Sequence, residues 1–227
     1  MCGRFGLSAT PEALADFLEL DPEEVPRFSP RFNVAPGQQA LVVRPRRDGR
    51  MAVRPVRWGL VPAHSAARPG RPLVNARVES AATRPAFRDA MARRRCLVPA
   101  DGFFEWQGRR GEGRRPWHVG LRGGALFAMG GLWERWRDPS GGDTLDTFAI
   151  LTTQPNALVG ALHDRMPVIV PRSGFARWLS RDAGPAGLDD LVAPLDSELM
   201  EAWPVSPAVG NVRFDEPACR EPLAPPR

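Results

Sequence analysis

The sequence predicts one α+β domain, rich in strands and carrying only short helices. Three observations predict it. Short apolar segments recur between turns built from Gly, Pro and Asp, which is the pattern of strands. Helix-permissive stretches are few and brief. No linker separates two apolar cores within the 227 residues, a length that suits one large domain. The domain is expected to span residues 1–227, with a Pro-rich tail from about residue 217.

The elements follow in order. Thr10-Pro11 opens a helix, a capping residue followed by Pro at the first helical position, with Leu14, Phe17 and Leu18 on one face. Asp21 to Pro36 holds four Pro and reads as loop. Leu41–Arg44 and Met51–Trp58 read as strands around a turn at Arg47-Asp48-Gly49. Ala63–Pro72 is rich in Pro, Gly and Ala and reads as an exposed loop. Glu79 to Arg94 permits helix, with Phe87 and Met91 spaced i, i+4 and a break at Arg84-Pro85. Arg95–Pro99, Trp117–Leu121, Leu126–Trp133 and Phe148–Thr152 read as strands. Gln107–Arg115 reads as a mobile segment and Arg137–Asp143 as a polar turn. Asn156–Leu162 reads as a helix and Pro167–Val170 as a strand. Phe175–Leu179, capped by Ser173, and Ser197–Ala202 read as short helices.

Composition narrows the function. The longest apolar runs, Phe148–Leu151 and Val168–Val170, are far too short to cross a bilayer. Met1-Cys2-Gly3-Arg4-Phe5 has no apolar stretch of the secretory kind. Cys2, Cys96 and Cys219 are odd in number and widely spaced, which excludes a disulfide framework and a zinc-type pairing, so no metal is expected. A reducing, cytosolic setting follows, with Cys96 as a core residue. All 31 basic residues are Arg, and the net charge is +5. Guanidinium groups bind phosphate bidentately and stack on flat rings. With seven Trp and eleven Phe, the chain is equipped to hold nucleic acid by charge and stacking. Neither a Walker nor a Rossmann phosphate loop is present.

Cys2 is the first candidate for chemistry. Residue two is small enough for Met1 to be removed, which leaves an α-amine and a thiol on one carbon pair. An α-amine has a reference pKa near about 8, so a good fraction is neutral at physiological pH. Such a 1,2-aminothiol condenses with an aldehyde to an imine, and the thiol then closes a five-membered thiazolidine. The same pair can attack an amide, with the amine as base and the thiolate as nucleophile. Asn75, Arg77 and Glu79 alternate along an extended segment and would share one face. Glu105 stands among Phe103, Phe104 and Trp106, where desolvation would raise its pKa toward general acid–base work. His163 lies between a helix and a strand, a context that His64 and His118 lack.

Taken together the segments resemble the SOS-response-associated peptidase family, proteins that shield abasic sites in single-stranded DNA. The matching segments are Met1–Phe5, Phe32–Pro36, Arg57–Pro62, Asn75–Arg77, Arg95–Trp106, His163–Val168, Val205-Ser206 and Asn211–Arg213. They run in family order over nearly the whole chain. The resemblance implies a mixed, barrel-like β core flanked by short helices. It implies autoproteolytic removal of Met1 and a thiazolidine crosslink between Cys2 and the aldehyde of an abasic deoxyribose. Asn75 would position the Cys2 amine, Glu105 would shuttle protons, and His163 would assist sugar opening or crosslink reversal. Arg4, Arg77 and Arg165 would hold phosphates, and Trp58 would stack by the DNA. No cofactor is implied. The expected partner is single-stranded DNA containing abasic sites, met by a monomer in the cytoplasm at the nucleoid. Pro217–Arg227 is the place to look for contact with replication-fork proteins. The chain departs from the family where Ala63-His64 replaces a common second Trp and Phe104 a common Tyr.

Two other readings start from the same residues. Class II glutamine amidotransferases also begin Met-Cys-Gly, so an N-terminal-nucleophile amidohydrolase shares this terminus. A basic single-strand binding module with an idle Cys2 would bind in a way that molar salt reverses, with no covalent product.

Overall fold

The structure, a computed structural model, describes residues 2–46, 48–67, 70, 72–108, 113–142 and 144–223. Parts of four expected segments, the turn at Arg47, the loop 63–72, the arm 107–115 and the turn 137–143, lie outside these residues. So do Met1 and the last four residues of the tail.

Thirteen strands and five short helices are named here in chain order. They are β1 (Phe5–Leu7), α1 (Pro11–Leu18), β2 (Arg31–Val34), β3 (Gln39–Pro45), β4 (Met51–Trp58) and β5 (Asn75–Arg77). Then come α2 (Val78–Ala81), α3 (Arg88–Arg93), β6 (Arg95–Ala100), β7 (Gly102–Gln107), β8 (Arg115–Leu121), β9 (Phe127–Arg137) and β10 (Thr144–Thr153). The chain ends with α4 (Ala157–Gly160), β11 (Met166–Pro167), β12 (Ile169–Val170), α5 (Phe175–Leu179) and β13 (Met200–Pro204).

The first sheet closes on itself. β4 pairs β3, β3 pairs β6, β6 pairs β9 and β9 pairs β10, all antiparallel, and β10 returns to β4 in parallel. The result is a five-stranded mixed barrel, as expected. Alternate residues of its strands, among them Val42, Val56, Cys96, Val98, Met129, Phe148 and Ile150, are fully or nearly fully buried in one apolar cluster. β5 and β11 extend it along β10, and β12 along β9. The second sheet is antiparallel and open, in the order β13-β8-β7-β1-β2. Among the described residues no helix is long and apolar enough to cross a membrane.

The two sheets are joined at Asp101, between β6 and β7. Its carboxylate accepts from the Ser8 N–H at 2.6 Å and the Ser8 hydroxyl at 2.5 Å, fixing the chain after β1. Gly102 follows because no side chain fits: a Cβ there would sit 2.0 Å from Nε2 of His118 on β8. β7 can therefore lie flat between β1 and β8 and carry Glu105 along the seam.

Most local expectations hold. Thr10 Oγ1 accepts from the Ala13 N–H at 3.2 Å and caps α1. Asn156 caps α4 through its bond from Val159 N–H at 2.9 Å. Four differ. Residues 31–34 form β2 despite the surrounding Pro, because β1 supplies a partner strand. Residues 200–204 pair with β8 instead of continuing a helix, which ends in a 3-10 turn at Leu199. Ser173 lies in a 3-10 turn and does not cap α5. The extended run at Asn75 stops at Arg77, so Glu79 belongs to α2 and leaves the face shared by Asn75 and Arg77.

Candidate active site at Cys2

Cys2 is fully buried beside Phe5 and Trp58, at the seam of the two sheets. β5 explains how Asn75 reaches it. Ala76 is buried in the core, while Asn75 and Arg77 point the other way along the strand. The Asn75 Nδ2 donates to the Cys2 backbone oxygen at 2.9 Å. Its Oδ1 is buried and accepts nothing among the described residues, so one acceptor beside the Cys2 main chain stands ready. The Trp58 indole Nε1 donates to the Val74 oxygen at 2.9 Å and so sets the strand on which Asn75 sits.

Glu105 sits within β7, opposite Trp117, and is 1% exposed. The neighbouring register places β1 alongside it: Phe104 N–H donates to the Arg4 oxygen at 2.9 Å. Burial pushes the Glu105 carboxyl up from 4.5 to about 7, and the charge of Asp164 adds to the rise. Burial also drives the Cys2 thiol well above its ordinary range, and the nearby Glu105 charge pushes the same way. The thiol is therefore protonated at neutral pH and needs a base before it can attack.

His163 follows α4, held by its N–H to the Val159 oxygen at 2.8 Å. Its Nδ1 accepts from the Arg165 N–H at 3.1 Å and lies 2.8 Å from the Asp164 carboxylate. One nitrogen cannot accept from the first and donate to the second. Burial lowers the His163 pKa, which favours the neutral ring. Asp164 and Arg114 act electrostatically on both Glu105 and His163, which sets the two groups in one field. Gln107, at the end of β7, donates to the Ala161 oxygen at 3.2 Å and links the Glu105 strand to the His163 loop.

The residues expected to touch DNA divide. Arg77 is exposed and has no ion pair among the described residues. Trp58 has no exposed surface, packing edge-on against Phe5 at 5.1 Å and parallel to Phe148 at 6.1 Å, so its ring offers no face to a base. Arg165 is 5% exposed and forms a two-pronged pair with Glu79 at 2.7 and 2.8 Å, with a further bond to the Thr152 oxygen. It clamps the His163 loop to α2 and β10 instead of facing a phosphate. Arg4 donates to Asn33 Oδ1 and to the Val209 and Gly210 oxygens, which ties the N-terminal strand to the C-terminal turns. The physical reason is common to the three: the pleat and the close seam turn these side chains inward, where each meets its partners.

Sequence reasoning did not single out Asn33, Gln107, Arg114 or Asp164. Asn33 is fully buried and its amide donates to the Val209 and Phe214 oxygens, completing the tie that Arg4 begins. Its place in the Phe32–Pro36 segment was the available signal. Among the described residues no group of His, Cys, Asp and Glu could hold a metal ion.

The chain is 35% identical over 223 residues to the abasic site processing protein YoqW of Bacillus subtilis, covering 96% of this chain and 97% of that one. It is 32% identical over 226 residues to the abasic site processing protein YedK of Escherichia coli, covering 94% and 96%. A crystal structure of a protein from Bacteroides thetaiotaomicron shares the fold, with a TM-score of 0.84 at 23% identity over 98% of this chain and 100% of that one. The model of the SOS response associated peptidase (SRAP) family matches residues 1–212, and the chain belongs to that family.

Proposed function

We propose that the protein processes abasic sites in single-stranded DNA by covalent capture through Cys2. The observation that carries the reading is the pairing of the Asn75 amide on the Cys2 backbone with a buried carboxyl, Glu105, whose pKa lies near about 7. In the full-length chain the Cys2 nitrogen is a peptide amide and cannot form an imine. Once Met1 leaves, the amine adds to the C1′ aldehyde of the opened deoxyribose, and loss of water gives the imine. The thiol then adds to the imine carbon. A C–S bond forms, the thiol proton passes to Glu105, and the imine nitrogen takes up a proton to become the ring amine. A carboxyl that titrates near neutral pH is matched to take and return that proton. His163 is placed to assist the sugar ring oxygen as it opens. Arg77 holds a flanking phosphate. The same thiol and carboxyl are the groups that would hydrolyse the Met1–Cys2 bond, making the chain its own peptidase.

The test starts with the mass of the intact protein, which must lack Met1. The processed protein is then incubated with an abasic single-stranded oligonucleotide. An adduct that survives heat and molar salt is expected from wild type and none from Cys2→Ala. Equal adduct from Cys2→Ala would sink the proposal, and glutaminase activity without an adduct would return the chain to the amidohydrolase reading.

A further inference from the structure

Away from Cys2, the N-terminal end of β10 carries a second cluster. Arg44 of β3 lies 3.0 Å from Asp146, and Arg135 of β9 grips the same carboxylate at 2.7 and 2.8 Å. The Arg44 guanidinium rests over the Trp133 ring, 4.1 Å from its centre. Arg94 holds Glu134 through two nitrogens, at 3.0 and 2.5 Å. Beside them a cavity of about 410 Å³ is lined by Arg93, Arg94, Trp133 and Arg181. Arg93 and Arg181 are exposed and make no hydrogen bond or ion pair to a described residue. Arg44 Nη1 and Trp133 Nε1 are buried donors with no acceptor among the described residues.

The bookkeeping of charge is one-sided. Among the described residues three guanidinium groups engage two carboxylates, Asp146 and Glu134, with Asp89 also acting on Glu134, while Arg93 and Arg181 engage neither. What is left over at the cleft is the donors of Arg93 and Arg181, and an anion would satisfy them. We propose that this cleft is a second, non-catalytic phosphate site. Forked guanidinium donors match phosphate oxygens. The cavity is larger than a bare ion requires and lies in the size range of small-molecule sites, which suits a phosphate carried by a nucleotide unit. The cleft is distinct from the Cys2 site. Arg77 lies opposite Thr152 and the cleft's Trp133 opposite Phe148, four residues or about 13 Å apart along β10. The phosphate comes either from a free nucleotide or from the DNA strand itself.

The full processed chain is titrated by calorimetry with inorganic phosphate, a deoxynucleoside monophosphate and a short oligonucleotide without a lesion. The comparison variant carries Arg93→Glu and Arg181→Glu, both at exposed positions outside the Cys2 site, and its melting curve checks the fold. Wild type is expected to bind at least one phosphate-bearing compound about tenfold or more tightly than the double variant. Saturation by the monophosphate identifies a free nucleotide as the source, and binding by the oligonucleotide alone identifies the strand. Equal affinities in wild type and double variant, or no binding of any compound, overturn the proposal. Cys2→Ala must retain this binding, so loss of the covalent adduct leaves the cleft standing on its own.

Discussion

Arginines meet tryptophans at two places around β10, on β4 and on β9, and are arranged oppositely there. On one side Arg165 is buried, matched by Glu79 and bonded to the Thr152 oxygen, and the Trp58 ring, opposite Phe148, lies wholly inside. On the other side Arg93 and Arg181 are exposed with no hydrogen bond or ion pair to a described residue, and Arg44 and Trp133 each keep a buried donor without an acceptor among the described residues. The first arrangement is a rigid frame that holds Cys2, Asn75 and His163. The second is an unfinished electrostatic surface. An arginine near a site is therefore no guide to phosphate binding until its partners are counted.

The largest expected break in this contrast is Trp58→Ala. It empties a fully buried site and releases the Val74 oxygen, so stability should fall by about 3–5 kcal/mol. A urea melt measures this, and adduct formation should slow because β5 no longer holds Asn75 in place. An unchanged midpoint would mean that the ring is not the prop described.

Arg165→Met comes next. It removes a charge that is buried while leaving Glu79, which is half exposed and can be solvated. The cost should be about 2 kcal/mol, smaller than for a pair buried on both sides. Loss of affinity for intact single-stranded DNA without loss of stability would show instead that Arg165 faces phosphate.

Glu105→Gln sharpens the frame by pH. The carboxyl pKa rises from 4.5 to about 7 in the fold, so its contribution is fully present below 4.5 and is lost as pH rises through 7. The Gln variant should match wild type at acidic pH and exceed it by about 1–3 kcal/mol above pH 7. Melting curves across pH read the first effect. The adduct rate of wild type should rise through about pH 7, and the variant should lose that rise.

Arg77→Ala should have the smallest effect. Arg77 is exposed and has no ion pair among the described residues, so stability should stay within about 0.5 kcal/mol. Binding to intact single-stranded DNA should weaken about tenfold, and the salt slope should fall by about one. A variant that binds as wild type does would leave the outward face of β5 without a phosphate role.

Several features were legible in the sequence because they depend on near neighbours. Thr10-Pro11, the β3–β4 hairpin and the Asn156 cap follow from local chemistry. Cys2 was legible as a candidate for a different reason, since the aminothiol that loss of Met1 would create is defined by one residue, although burial then decides that its thiol needs a base. The aromatic setting of Glu105, read from three adjacent rings, predicted desolvation correctly in direction. The strands β1, β2 and β13 were not legible, because each is short and owes its form to a partner far along the chain.

What the sequence by itself determined is the set of reactive groups, the class of fold and the excess of arginine. Which arginines face inward, and which donors remain unanswered, only the tertiary structure decided. The physical reason is that burial and pairing are relations between distant residues. Arg165 meets Glu79 across 86 positions, and Arg4 meets Val209 across 205. No local pattern encodes such a meeting. It arises when the barrel closes and the second sheet lays β1 and β7 against it.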